Sequence, residues 1–445
     1  MNRIILIGNG FDLAHGLHTS YKDFIDNYWV QYGGWLSSCL GKTVTDELCS
    51  ISLKGDDGVC WYYIIPHYKI NGQIPPTPRE IIDEIKSRPD EFIIKKSPFF
   101  SKIDNHVETK TWVDIESEYY IQLKNIAKNS KRLYDDPNEL DAEFEIIKSK
   151  LIAYLREVQK ENIVPELEKE CIRKSIFEPF NIDDIAIGSR ETFNKYLINR
   201  LDNFWNESEE YIRTFLKRFG ISYLSIKSDL EIYKKSVIED VDPSSDLRDT
   251  FEPYFDVQKH IDNIYNKKLT VPDFFLLPDQ ILFLNFNYTK TANLYIPVES
   301  GFKINHIHGE LDNEKNPVIF GYGDELDEDY KTLSNLNNNC FLKNIKSIRY
   351  LETDNYRQLL RFIDTDPYQI YIMGHSCGNS DRTLLNTLFE HRNCISIKPF
   401  YHQKPDGSDD YIEKIQNISR NFNNMQMMRD RVVNKTYCRP LMNPA

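Results

Sequence analysis

No apolar run in this chain approaches the length of a membrane span, no two of its eight cysteines form a C-x-x-C pair, and its basic residues are outnumbered by acidic ones. The first absence argues against a spanning helix. Arg3 is followed by only four apolar residues, Ile4 to Ile7, too few for the core of a signal peptide, so the chain reads as cytoplasmic. Scattered cysteines give neither a zinc module nor a disulfide framework, and reduced thiols fit best. With 55 basic against 68 acidic residues and a net charge of −13, a surface that is one phosphate-binding field is excluded, and nucleic acid is not an expected partner. Internal repeats and long low-complexity tracts are lacking too.

What is there belongs to a folded protein. A hydrophobic fraction of 40%, with 27 Tyr and 25 Phe, supports a core, and 445 residues imply two domains or one domain with a large insertion. Near-continuous apolar runs occur at residues 4–7, 281–286, 302–307, 317–320, 370–373 and 394–397, the pattern of strands buried on both faces of a mostly parallel sheet. Ser20 and Asp23 look like a capping box opening a helix, and Asp381 looks like the cap of the stripe Leu384, Leu385, Leu388 and Phe389. Between the two ends the period changes to 3.6, with Ile146, Ile147, Leu151 and Leu155 on one face and Trp112, Ile115, Tyr119, Leu123 and Ile126 on another. The Pro- and Gly-rich stretch 55–80 reads as the loop leading into that part. The expected organisation is therefore an α/β domain made of residues 1–55 and 271–445, interrupted by a loop and a mainly helical insertion at 56–270.

Polar clusters follow several of the apolar runs, where ligands bind in open α/β sheets. The first run ends in Gly8-Asn9-Gly10, followed by Asp12. A glycine-bearing strand-to-helix turn lets backbone N–H groups approach a phosphate, or is a tight turn requiring positive φ. The third glycine of G-x-G-x-x-G is missing, because Leu13 stands there, so the ordinary dinucleotide fingerprint fails. His306 and His308 alternate along a strand. They read either as a metal pair completed by Asp12, His375 or Asp381, or as a single base at His308, or as hydrogen-bonded strand-end histidines. Asn287 suits a water or a ribose hydroxyl, or an Asx turn. Ser376 and Asp381 suit a ribose, or a loop and a helix cap, and capping is the simpler role for Asp381. Thr111 to Glu116 read as a helix start with Thr111 as its N-cap and acids favoured by the helix dipole, and the acids of 136–145 as a solvated face.

The opening GNGFDLAHGL, the WVDIE segment, FNYT, HIHG and the late IMGHSCGNSD together resemble the AbiH family of bacterial abortive-infection (phage-defence) proteins. More remotely, Gly8 and Gly10, Asn287 with Tyr288, His308-Gly309, and Gly374, Ser376 and Asp381 resemble the motifs of sirtuin-like NAD-consuming domains. Thr289 stands where those domains carry aspartate, and Asn9 where they carry a small residue. The resemblance implies a Rossmann-like (sirtuin-like) sheet binding NAD, with no metal. It implies catalysis by His308 as base and by Asn287, which positions water or holds a ribose hydroxyl. Binding would fall to Gly8, Asn9, Gly10, Asp12, Tyr288, Gly374, Ser376 and Asp381, the glycine loop cradling the pyrophosphate and Ser376 the adenosine ribose. It implies cleavage of the bond to nicotinamide to arrest infected cells on a phage or host trigger. The rival readings are a metal-dependent phosphoesterase or nuclease and a non-catalytic nucleotide sensor; whether copies of the chain associate is left open.

Overall fold

A computed structural model describes residues 1–38, 43–54, 77–110, 114–163, 165–206, 209–239 and 273–442. Trp112 and most of the proline-rich stretch 55–80 lie outside them.

The two chain ends build one sheet. β1 (Asn2–Ile7), β5 (Ile281–Asn285), β6 (Lys303–His306), β7 (Tyr368–Met373) and β8 (Cys394–Phe400) lie in the order β6-β5-β1-β7-β8, all neighbours parallel. Counted along the chain, that order is third, second, first, fourth, fifth. The succession therefore reverses between β1 and β7, where open α/β sheets leave a crevice at the strands' carboxyl ends.

β1, β5, β7 and β8 are buried on both sides for the reason their composition gives, whereas the edge strand β6 exposes Lys303. Ile4 and Leu6 of β1 join Leu282, Leu284, Ile370, Ile372 and Ile397 under the helices Asn355–Thr365 and Arg382–Phe389. Ile5 and Ile7, one residue out of step, face Phe283, Met373, Phe400, Ile172 and Ile176 on the other side. The alternation of side chains along a strand divides the two cores.

The expected strand at 317–320 is not one. Pro317 has no N–H to donate, and the segment runs extended across the His308-Gly309 turn with Ile319 N donating to His308 O at 2.8 Å. Gly309, at φ +85°, is required there: a Cβ would stand 2.1 Å from Pro317 O. Ile319 and Phe320 are nonetheless fully buried, which accounts for the apolar run.

The remaining core is mainly helical. Helices Tyr21–Ser38, Pro78–Ser87, Pro98–Lys110, Ile115–Ala127 and Pro137–Asn162 pack around Trp29, Tyr119 and Phe144 together with Phe320, Tyr322 and Ile345 from the late chain. Ser20 and Asp23 exchange backbone-to-side-chain hydrogen bonds, so the capping box forms. The helix at 115 is capped by Asp114, whose carboxylate accepts from Ser117 N at 3.0 Å. A three-stranded antiparallel sheet, β2 (Thr43–Thr45), β3 (Cys49–Leu53) and β4 (Phe92–Lys96), also forms; β2 and β3 come from the stretch assigned to the α/β domain, and β4 from the part whose period indicated helix. Asp141 and Glu143 are buried rather than solvated: Tyr119 Oη donates to Asp141 at 2.6 Å and Phe100 N to Glu143 at 2.7 Å. Among the described residues no helix is long and apolar enough to cross a membrane.

Candidate active site

A cavity of ≈ 380 Å³ opens at the carboxyl edge where β1, β5 and β7 end, and the helices Ile115–Ala127 and Pro137–Asn162 close it with Glu116, Leu151 and Leu155. The ten residues to which the resemblance gave catalysis or binding all line it: Gly8, Asn9, Gly10, Asp12, Asn287, Tyr288, His308, Gly374, Ser376 and Asp381. His306 does not. Its Nδ1 faces Asn285 Nδ2 at 3.1 Å, and its carbonyl accepts from Asn316 and Asn355, a hydrogen-bonded strand-end histidine. Beyond β6 the chain turns, so His306 and His308 no longer share a face. The donor set Asp12, His306, His308, His375 and Asp381 is not assembled, and among the described residues no three His, Cys, Asp or Glu side chains are grouped to hold a metal ion.

The glycine pair answers to close packing. Gly8 is extended (φ −129°, ψ −174°), not left-handed, and leads into the short helix Asn9–Ala14. A Cβ on Gly8 would lie 2.5 Å from His375 Cα, and one on Gly374 (φ +79°) would lie 2.0 Å from Phe11 N. The ends of β1 and β7 thus touch backbone to backbone. Gly8 N donates to Met373 O at 3.4 Å and Gly10 N to Gly374 O at 2.8 Å. Two of the three N–H groups of the expected phosphate cradle are consumed by the fold.

Asp12, 1% exposed, projects from that helix. Thr289 Oγ1 donates to its Oδ2 at 2.6 Å, while Oδ1 has no hydrogen-bond partner. Burial raises its pKa to about 6, which the hydrogen bond from Thr289 only partly opposes. Thr289, from the loop after β5, thereby holds the aspartate presented by the helix that follows β1. Asn287 Nδ2 donates to Gly8 O at 3.0 Å and fixes the loop. Tyr288 is anchored by its hydroxyl donating to Ile319 O at 3.2 Å.

Opposite stands a cluster that only the fold brings together. Lys346 Nζ lies 2.9 Å from Asp381 Oδ1 and 2.9 Å from Glu116 Oε2, and Gly321 N donates to Glu116 Oε1 at 3.0 Å. His308 Nε2 is 3.2 Å from Asp381 Oδ1 and 3.1 Å from Tyr350 Oη. His375 Nδ1 accepts from Cys377 N at 2.9 Å, so a neutral ring carries its proton on Nε2, 3.5 Å from Asp381 Oδ2. Asp381 occupies the residue position before the helix Arg382–Phe389, yet its carboxylate makes no cap bond and turns instead to Lys346 and both histidines. Ser376 stands exposed at the rim, its carbonyl accepting from Asn417.

The surroundings pull these groups apart. Burial alone would raise Asp381, but Lys346 and then His308 hold it well below the usual carboxylate range. Burial, opposed by Lys346, leaves Glu116 raised to about 7. Burial and then the Lys346 charge lower His308 to about 4, so it is a neutral imidazole at physiological pH rather than a base near its ordinary value. Glu116 and Lys346 carried no sequence signal of this role: the first reads as a helix-dipole acid, and the second lies in an irregular stretch with no period.

The same spans that meet at this cavity are those a family model recognises. The model described as bacteriophage abortive infection AbiH matches residues 4–192 and 190–402. Neither a curated protein nor a solved structure matches the chain. With β1, the Asp114–Glu116 segment, β5, the His308 turn and the β7 loop all inside the matched spans, the chain belongs to the AbiH family.

Proposed function

We propose that this chain is an effector of abortive infection, and that its sheet, Rossmann-like in strand order as in sirtuin-like domains, carries a hydrolase site for the N-glycosidic bond of ribosyl-nicotinamide, with NAD as the cellular source. The observation that carries the reading is the set of carboxyl groups at the strand-order reversal whose environments separate their pKa values: Asp381 fully ionised, Asp12 at about 6 and Glu116 at about 7. Such divergence in one cavity is the mark of acid–base work.

In the reaction the C1′–N bond breaks and its electron pair leaves with neutral nicotinamide. C1′ becomes oxocarbenium-like, and the carboxylate of Asp12, ionised above about pH 6, stabilises that charge. Water adds to C1′ and gives its proton to His308, whose Nε2 is held toward Asp381. A cationic substrate already has a neutral leaving group, so a weak base suffices. Asn287, tied to Gly8, orients the water or a ribose hydroxyl.

The test is nicotinamide release from NAD by the purified protein, with His308→Ala, Asn287→Ala and Asp12→Asn alongside. Release that falls by roughly a hundredfold in each variant supports the assignment. NAD bound without release under activating conditions would turn the reading toward a nucleotide sensor, and loss of activity with chelator toward the metal-dependent class.

A further inference from the structure

Every positive charge on the cavity wall is already engaged. Lys346 lies between Asp381 and Glu116, and the ammonium of Lys22 is paired with Asp26. Against them stand the carboxyl groups of Asp12, Asp114, Glu116 and Asp381. Two of the three loop N–H groups that would meet a phosphate are given to Met373 O and Gly374 O, and the Asn9 carboxamide oxygen accepts from Thr19. A phosphate entering here would meet four carboxyl groups and, among the described residues, no unpaired cation, with serine hydroxyls as side-chain donors. At ≈ 380 Å³ the space is at the low end of the roughly 300–1,000 Å³ of drug-sized pockets. What the wall offers suits a sugar and a cation: the hydroxyls of Ser376 and Ser380, the ring of Phe286, and the unpartnered Oδ1 of Asp12.

Resting on the reading of this cavity as an N-glycosidase site, we infer that what it accepts is a phosphate-free N-riboside bearing a cationic base, with any phosphate of a larger substrate excluded. The Oδ1 of Asp12, a cavity-lining residue, is a buried acceptor without a protein partner and is the group that would face the positive charge.

Calorimetric titration of the full-length protein with nicotinamide riboside, nicotinamide mononucleotide and NAD tests this. The expected result is riboside binding at least roughly tenfold tighter than either phosphate-bearing compound, no competition by inorganic pyrophosphate, and loss of about tenfold for the riboside in Asp12→Asn. Absence of riboside binding, or mononucleotide or NAD within tenfold of the riboside, overturns it. Riboside bound without nicotinamide release would overturn hydrolysis while leaving this preference standing. Release from NAD with weaker riboside binding would do the reverse.

Discussion

Under one face of the parallel sheet, Arg3 is wholly buried. Its guanidinium donates to Ile176 O at 2.9 Å and Glu178 O at 2.6 Å and lies 4.2 Å over the Tyr371 ring. Beside it Lys398 pairs with Asp184 at 2.8 Å and Tyr371 Oη donates to Glu178 at 2.7 Å. At the carboxyl edge of the same sheet, Lys346 is equally buried between Asp381 and Glu116. The two clusters have similar charge and burial and differ in what surrounds them. The first ends on backbone carbonyls and aromatic faces and fastens the segment around 176–184 to the sheet. The second ends on side chains from three separate parts of the chain and borders a void. Burial of charge alone does not mark a site, and neither does a divergence of carboxyl pKa values, since beside Arg3 and Lys398 Glu178 is lowered and Asp184 raised; charge beside a cavity does.

The largest effect should come from cutting the edge cluster at its cation. Lys346→Met leaves Asp381 and Glu116 buried without compensation and should cost about 3–5 kcal/mol near neutral pH. In the native protein Asp381 has a depressed pKa, so its contribution is present above the unfolded carboxylate value and is lost only as pH falls through its lower folded value. In the variant the carboxyls are raised instead, so the deficit should shrink as pH is lowered toward 5. Urea unfolding at the two pH values reads this.

Next, Asp381→Asn should reduce nicotinamide release by about 10²–10³-fold, whereas Arg3→Met should lower stability by about 2–4 kcal/mol and leave release per folded molecule within twofold. A matching loss of activity in both would erase the distinction between the clusters.

Asp12 sharpens it from the other side. Its folded pKa is raised from 3.8 to about 6, so ionising it in place opposes folding: no cost below the unfolded value, a growing cost between the two, and the full cost above about 6. Asp12→Asn should therefore stabilise the protein by on the order of 2–3 kcal/mol near pH 8 and by nothing near pH 4, while abolishing the rise in activity around pH 6. The smallest effect belongs to the rim: Ser376→Ala should change the KM for any substrate by less than about threefold, an exposed hydroxyl being replaceable by water.

Much of the sheet was legible because strands buried on both faces must be continuously apolar, and five of the six runs are strands. The sixth, at 317–320, is buried for another reason, as packing over the Gly309 turn. The positions of the predicted site residues were legible for a topological reason: parallel strands all deliver their carboxyl ends to one edge. Illegible were partners supplied across the fold. Glu116, Asp141 and Glu143 carry charges that a helical period assigns to solvent, and only remote donors such as Lys346, Tyr119 and the Phe100 N–H reverse that assignment. β2 and β3 were missed because TVT and CSISL, three and five residues long, are too short for a period to emerge.

The contact of Gly10 N with Gly374 O has a bearing on how such a protein is made. One wall of the cavity leaves the ribosome among the first residues, and the wall holding Asp381 emerges only after some four-fifths of the chain has been synthesised. Until β7 slides in beside β1, the early glycines have nothing to pack against and Asp12 faces no opposing cluster. The cavity is therefore complete only once β7 has paired with β1, late in synthesis.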